Sequence, residues 1–386
     1  MKAIAVFPAS RALKLIDHAE PQIARPTDVK LRMLEVGICG TDKEICHFAY
    51  GAPPEGEDYL IIGHESLGQV VEVGSAVNNV KVGDLVVTMV RRPCPHPQCW
   101  ACRSGHQDFC TTGDFTERGI KGQHGFMAEY VVDDAKYMSI VPPDLHDIGV
   151  LVEPMSIAAK AAFQIRAILQ RFPWFDPRQM PDPRDKIFHA LVLGAGTVGL
   201  LGAMALRNAG FETYVYDRAP APNSRSRLVE SFGAAYVSEE STREFAHLVG
   251  DVELVYEATG ASQLAFQAMR VLAPNSIFIF TGVPPLKEPS SVDTDLIMRN
   301  AVLKNQVILG TVNAGKEAFD AAVGMLAAIH KRWNAALPTL VTARYPLDAY
   351  RDLLLGQPGG IKNVLSFEYA STSESKPDEA HAAAER

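Results

Sequence analysis

Cys94, Cys99, Cys102 and Cys110 stand in the spacing C-x4-C-x2-C-x7-C, four thiols within 17 residues. The residues between them include Pro95, Pro97, Ser104, Gly105 and Asp108, which cannot form an apolar core. Four thiolates this close suit a closed tetrahedral zinc, and such a site orders a loop that has little else to hold it. His96 is an alternative donor, because four residues rather than two separate the first pair of cysteines. A second set is dispersed and chemically mixed: Cys39 in Gly37-Ile38-Cys39-Gly40-Thr41-Asp42, His64 and Glu65 in Gly63-His64-Glu65, and Glu153 in Val152-Glu153-Pro154. Sulfur, imidazole and carboxylate together suit a catalytic zinc that keeps one position exchangeable. Singly, each has an ordinary reading as a core thiol, a satisfied histidine or a helix-start carboxylate. Spacing alone does not bring them together.

Gly194-Ala195-Gly196-Thr197-Val198-Gly199 follows the apolar run Ala190-Leu191-Val192-Leu193 and precedes a helix-forming run, Leu200 to Ala209. In this context Gly194 permits the turn, Gly196 lets backbone approach a pyrophosphate, and Gly199 lets helix pack on strand. The helix start, at Thr197 and Val198, offers free N–H groups to phosphate. Asp217 lies 21 residues after Gly196, at the end of the next apolar run, where a carboxylate binds a ribose 2′-hydroxyl. That favours NAD. Arg218, Arg225 and Arg227 are nearby cations for a 2′-phosphate and keep NADP open.

Elements must hold these groups. Up to about residue 150 the chain alternates short β-type runs (Val29–Val36, Gly68–Val73, Asp84–Val90, Ala128–Val132) with Gly and Pro. A helix is expected over Glu153–Gln170, then a proline-rich connector from Pro173 to Pro183. From Phe188, strands near 190–193, 213–216, 253–256, 276–280 and 306–309 alternate with helical stretches, the pattern of a parallel doubly wound sheet. Leu347–Leu355 is expected as a helix and Asn363–Phe367 as a strand, both returning to the first domain. The residues from Ser371 onward have little to bury and are expected to be disordered. No internal repeat is visible. At 386 residues the chain has room for two domains, and a net charge of −8 without a basic block argues against nucleic acid. No uninterrupted apolar run of bilayer length is expected, so neither is a membrane partner. The short apolar N-terminus reads as a strand rather than a secretory signal, which makes a reduced, cytoplasmic location the expectation.

In type and order these motifs resemble those of the medium-chain zinc alcohol dehydrogenases: the Cys39-Gly40-Thr41-Asp42 segment, Gly63-His64-Glu65 with Gly68, the four-cysteine lobe, Glu153-Pro154 and the glycine fingerprint. The resemblance extends to about Tyr369. It is nearest to the glucose (aldose) 1-dehydrogenase branch, on Cys39 to Ile45, Glu117-Arg118-Gly119-Ile120-Lys121-Gly122, His124-Gly125-Phe126, Leu151 to Pro154, and Gly310-Thr311-Val312-Asn313.

The resemblance implies an α/β chain with a GroES-like, β-rich catalytic domain over 1–155 and 312–370. A Rossmann domain with a doubly wound parallel sheet would span 156–311, and a tail 371–386. It implies two zinc ions per chain. One is catalytic, on Cys39, His64 and Glu65, with Glu153 binding directly or through water. The other is structural, on Cys94, Cys99, Cys102 and Cys110. Thr41, Glu117, Glu153 and Asn313 would meet sugar hydroxyls. The implied reaction oxidises an aldose at C1 to a lactone, with hydride passing to NAD or NADP and the proton leaving through Thr41, Glu44 or His47. A homo-oligomer, dimer or tetramer, is implied as well. Three features depart from the branch: the x4 spacing in the lobe, Asp217 where many members take NADP, and Leu303 at a position expected to be polar. The rival readings are a zinc polyol or secondary-alcohol dehydrogenase, a zinc-free reductase of the same fold, and a non-catalytic dinucleotide-binding protein.

Overall fold

The computed structural model describes residues 1–173, 188–240, 250–285 and 291–368. Most of the proline-rich connector and the tail from residue 371 lie outside the described residues.

The first part of the chain is organised around β1 (Asp28–Gly37), buried at nine of its ten positions. A strand covered on both faces cannot leave charges to water, so its buried ions are paired. Asp28 meets Arg25 at 2.7 Å, Lys30 meets Glu20 at 2.5 Å, and Glu35 meets Arg344 at 2.5 Å. Helix α1 (Gly40–Cys46) follows directly, and β2 (Glu65–Val73) returns antiparallel beside β1. Strands β3 (Leu85–Thr88), β4 (Tyr130–Asp134) and β5 (Met138–Val141) complete this region. A 3-10 stretch, Pro143–Leu151, then runs into α2 (Val152–Leu169). This combined stretch, though interrupted by Asp144, Asp147, Glu153, Lys160 and Arg166, is long and apolar enough in average composition to cross a bilayer. It is a core helix here, with 67% of its most apolar window buried.

The second part is a six-stranded, all-parallel sheet. Its strands are β6 (His189–Leu193), β7 (Glu212–Asp217), β8 (Ala235–Ser238), β9 (Val252–Glu257), β10 (Leu272–Phe280) and β11 (Val307–Gly310). They lie in the order β8-β7-β6-β9-β10-β11. The chain builds outward from β6 in one direction, then crosses back to β9 and builds in the other. The crevice at the carboxyl ends of β6 and β9 is the place where such a sheet binds ligands. Helix α3 (Thr197–Asn208) starts there, and α4 (Thr294–Leu303) precedes β11.

Helix α5 (Lys316–Arg332) packs on α2, and β12 (Val341–Tyr345), α6 (Tyr350–Leu355) and β13 (Lys362–Ser366) carry the chain back to the first sheet. The expected helix over Leu347–Leu355 is split, with its first turn in 3-10 form. That sheet reads β5-β3-β2-β1-β13-β12, with β4 also paired to β1. The return of β13 alongside β1 brings the end of the chain to the beginning of the site.

Candidate functional site

The dispersed ligand set converges for reasons of register. Gly37 ends β1 and faces Glu65, the first residue of β2, while Val364 of β13 pairs with Gly37 from the other side. A Cβ at Gly37 would lie 2.1 Å from Glu65 Oε2, so only glycine leaves the carboxylate room. Glu65 lies over that gap and receives Lys362 Nζ at 2.7 and 2.5 Å. Lys362 also donates to the Ile38 carbonyl at 3.0 Å. Cys39 sits at the start of α1, where its N–H donates to Asp42 Oδ2 at 2.8 Å. The other oxygen of Asp42 lies 3.3 Å from His64 Nδ1, without hydrogen-bond geometry.

One donor atom each from Cys39, His64 and Glu65 falls within a group no wider than 4.8 Å. The electrostatics also call for a cation. Burial alone would lower the His64 pKa, but Asp42 and Cys39 overcome this and hold it well above the ordinary value. Burial lifts the Glu153 carboxyl to about 7, with His64 and Lys362 opposing and Glu65 and Asp42 adding. Burial would likewise lower Lys362, but Glu65 more than compensates and raises it. A pocket that gathers Cys39, Asp42, Glu65 and Glu153 around one lysine and one histidine fits a divalent ion. Glu153 feels the group electrostatically but is not among the three converging donors.

The four-cysteine lobe is also assembled: all four sulfurs lie within 4.8 Å of one another. Cys99 and Cys110 sulfurs are 3.9 Å apart, against roughly 3.8 Å for a tetrahedron edge with zinc–sulfur bonds of about 2.3 Å. Backbone amides are aimed at the sulfurs. Those of Cys102 and Thr111 pull the Cys99 thiol down to about 5, and the Cys94 N–H reaches Cys102 Sγ at 3.4 Å. Donors of this kind stabilise thiolate. His96 is not the fourth ligand; it pairs with Asp114 at 2.7 Å on the surface. The longer x4 loop is accommodated without displacing Cys94.

Thr41 Oγ1 is 3.9 Å from Cys39 Sγ. Glu44 is exposed on α1 and His47 is exposed at its C-terminal cap, where His47 Nδ1 is engaged with the Lys43 carbonyl at 2.7 Å. Among the described residues no side-chain hydrogen bond joins Thr41 to either. Glu117 and Asn313, 196 residues apart, meet: Asn313 Nδ2 donates to Glu117 Oε1 at 3.0 Å. Glu117 is buried, and its partner is Arg91 at 3.0 Å. It does not pair with its neighbours, because Arg118 turns to Asp133 at 3.0 Å and Lys121 to the Gly113 carbonyl at 2.8 Å. All three hydrogen bonds to Glu117 fall on Oε1, leaving Oε2 without a partner among the described residues.

At the glycine fingerprint, Gly194 has φ +105° and Gly196 is exposed at the head of α3, with nothing within 4 Å of a would-be Cβ. A Cβ on Gly199 would lie 2.0 Å from the Gly194 carbonyl oxygen, which is the close packing expected of that position. Thr197 Oγ1 donates to the Ile361 carbonyl at 3.0 Å, tying the loop to β13, and Val198 packs partly buried against the core. Asp217 ends β7 and accepts from the Ala195 N–H at 3.0 Å; Arg225 stands 3.7 Å away and Arg218 is exposed. The open space at Gly196 and the acid beside it fit a dinucleotide.

Sequence reasoning missed Lys362, Arg91 and Asp42. Asp42 was visible inside the Cys39 motif. Lys362 carried no local signal, since its role depends on β13 lying beside β1.

Two family descriptions match the chain: "Alcohol dehydrogenase GroES-like domain" over residues 25–143 and "Glucose dehydrogenase C-terminus" over residues 146–367. Among curated proteins it is 38% identical to the glucose 1-dehydrogenase of Methanocella arvoryzae, over 95% of this chain and 99% of that protein. It is also 38% identical to the glucose 1-dehydrogenase of Thermoproteus tenax, over 95% of this chain and 100% of the other. Among solved structures, the glucose dehydrogenase of Haloferax mediterranei in complex with NADP, Zn and gluconolactone superposes with a TM-score of 0.83. It is 31% identical and covers 96% of this chain and 100% of that one.

Proposed function

Because the chain belongs to the glucose dehydrogenase branch of the zinc-dependent medium-chain alcohol dehydrogenases, we propose that it oxidises the anomeric hydroxyl of glucose or a close aldose with NAD(P), releasing the lactone. The C1–H bond breaks as hydride and the O–H bond as proton, so aldose and NAD(P)⁺ become lactone, NAD(P)H and H⁺. Bound zinc supplies Lewis acidity toward the substrate hydroxyl, and bound NAD(P) accepts the hydride. Cys39, His64 and Glu65 would hold the metal, Asp42 places its charge 3.3 Å from the His64 ring, and Glu153 faces the same pocket. Thr41 takes the hydroxyl proton on its way to solvent, with Glu44 exposed on the same helix and His47 at its C-terminal cap. Gly194, Gly196, Thr197, Val198 and Gly199 hold the pyrophosphate, and Asp217 with Arg218 borders the ribose. Residues 1–155 and 312–370 act as the catalytic unit and 156–311 as the cofactor unit. The enzyme works in the cytoplasm as a homo-oligomer.

The observation that carries the sugar assignment is the meeting of Glu117 and Asn313, with one carboxylate oxygen of Glu117 left unpaired. Each buried hydroxyl of a sugar needs a partner or costs roughly 1–3 kcal/mol. A polar pocket therefore selects by hydrogen bonds. The test is a panel of glucose, galactose, xylose, sorbitol and ethanol with wild type and Glu117→Ala. The variant should lose efficiency with aldoses about a hundredfold and much less with ethanol. Good turnover of sorbitol or ethanol by wild type, with every aldose ignored, would leave a polyol or secondary-alcohol dehydrogenase; no turnover at all would leave a dinucleotide-binding protein.

A further inference from the structure

Lys160 is a buried lysine in the middle of α2, two turns beyond Glu153 and outside every motif named above. Its Nζ sits 2.8 Å from Asp108 Oδ2 and donates to the Val312 carbonyl at 3.0 Å. Asp108 belongs to the four-cysteine lobe, between Cys102 and Cys110, and Val312 immediately precedes Asn313. One turn further along α2, Gln164 donates to Thr311 Oγ1 at 3.2 Å. The helix thus grips the Thr311–Val312 segment with two side chains while holding the lobe with one of them.

The grip closes into a ring. The Asp108 carbonyl accepts from Arg91 Nη1 at 3.4 Å, and Arg91 Nε and Nη2 bind Glu117 Oε1 at 3.1 and 3.0 Å. Glu117 receives Asn313 at 3.0 Å, and Asn313 leads back through Val312 to Lys160. Lys160, Asp108, Arg91 and Glu117 are all buried. Two buried cations and two buried anions cost desolvation that apolar side chains would not, so such a ring is poorly explained by stability alone. What it does achieve is geometric. The two side chains that close it, Glu117 and Asn313, come from different parts of the chain, and their separation is set at its far side by a lysine that touches neither. Asn313 has φ +58°, in the left-handed region that asparagine tolerates, and its Oδ1 accepts from the Ala314 N–H at 2.9 Å.

We propose that Lys160 is a positioning residue for the sugar pocket: by joining Asp108 to the Val312 carbonyl it sets Asn313 against Glu117, and it makes the four-cysteine lobe part of the pocket's support. This rests on the reading that Glu117 and Asn313 contact the sugar. The substrate panel run with wild type and Glu117→Ala judges that reading. The present inference is judged on whichever polyhydroxylated substrate the wild type turns over, so the two fail separately.

The experiment compares Lys160→Met, Lys160→Arg and Asp108→Asn with wild type, each alone and in a Glu117→Ala background. KM and kcat for that substrate and KM for NAD(P) are measured, with product binding by calorimetry and zinc content by elemental analysis. Lys160→Met should raise the substrate KM and weaken product binding about tenfold. Its kcat and cofactor KM should stay within about twofold, with both zinc ions retained. Lys160→Arg, which keeps charge and reach to Asp108, should recover most of the loss. In the Glu117→Ala background Lys160→Met should add nothing, because the group it positions is gone. An unchanged substrate KM in Lys160→Met, or an equal rise with and without Glu117, would overturn the proposal. If Lys160→Met does not fold, Asp108→Asn decides by the same readings: a raised substrate KM supports it and an unchanged one overturns it.

Discussion

At the residue scale, two metal sites of different composition lead to different failures. Cys99 lies in a lobe that has almost no apolar packing, so its metal is part of its fold. Cys39 sits between well-buried strands and a helix, so a metal held there would serve chemistry more than support. Cys99→Ser should lose one zinc and lower the melting temperature. Cys39→Ser should also bind one zinc fewer, melt near the wild-type temperature, and turn over no substrate. Elemental analysis with calorimetry reads both, and a fully active protein with one zinc per chain would contradict the pair. Asp217 is the other informative residue. Its carboxylate holds the Ala195 amide at the glycine turn, and in the proposed function it would border the ribose. NAD should serve at least as well as NADP, and Asp217→Ala should move the ratio of kcat/KM toward NADP by about tenfold, since a charge repelling the 2′-phosphate is removed. A strong wild-type preference for NADP would point instead to Arg218 and Arg225.

At the scale of elements, two glycines of one turn make opposite predictions. Gly199 on α3 has the Gly194 carbonyl oxygen 2.0 Å from a would-be Cβ, while Gly196 has nothing within 4 Å. Gly199→Ala should force α3 off its strand and lower stability by about 1–3 kcal/mol. Gly196→Ala should melt like the wild type yet bind NAD(P) poorly, because the methyl occupies space meant for pyrophosphate. Calorimetry and cofactor titration separate the two cases. A normal cofactor affinity in Gly196→Ala would remove the dinucleotide reading of that turn. The base of the lobe offers a further test. Asp133 on β4 receives both Arg92 and Arg118. Burial alone would raise its pKa, but Arg118 and then Arg92 outweigh it and hold the carboxyl below the ordinary range. A group depressed in the folded state stabilises above its unfolded pKa of about 3.9 and loses that contribution as pH falls through the lower folded value. Asp133→Asn should therefore cost about 3–5 kcal/mol near neutrality, where it strands two buried arginines. The gap to wild type should narrow below about pH 4. A gap independent of pH in denaturant titrations would refute the charge argument.

At the scale of the molecule, the parallel sheet has an open side. β11 is its last strand and, among the described residues, pairs only with β10. Beside it, α4 buries none of its residues, and Met298, Val302, Leu303 and Ile308 are exposed together with Val312. An unpaired strand edge flanked by apolar side chains is a surface that proteins cover. A second copy laid edge to edge would do so symmetrically, and Leu303 then has a reason to be apolar. The wild type should sediment as a dimer or tetramer, and Leu303→Glu with Ile308→Lys should shift it toward monomer. A monomeric wild type at micromolar concentration would sink this assignment.

The sequence by itself determined what was local. The four cysteines, the glycine turn between strand and helix, and the acid at the end of β7 are each defined by spacing within one or two elements. Their chemistry could be read because neighbours in the chain are neighbours in space. That the second sheet is parallel followed from the alternation of strand and helix; the order of its strands did not. The tertiary structure alone decided which distant side chains meet. Glu65 finds Lys362 across 297 positions because β13 returns to β1, and because Gly37 has no side chain to block the carboxylate. Glu117 takes Arg91 and Asn313 as partners while Arg118 turns to Asp133, although Arg118 is its neighbour in the chain. Neither pairing leaves a trace in periodicity. Each is set by long-range register, and a buried charge takes whichever partner the fold brings within reach.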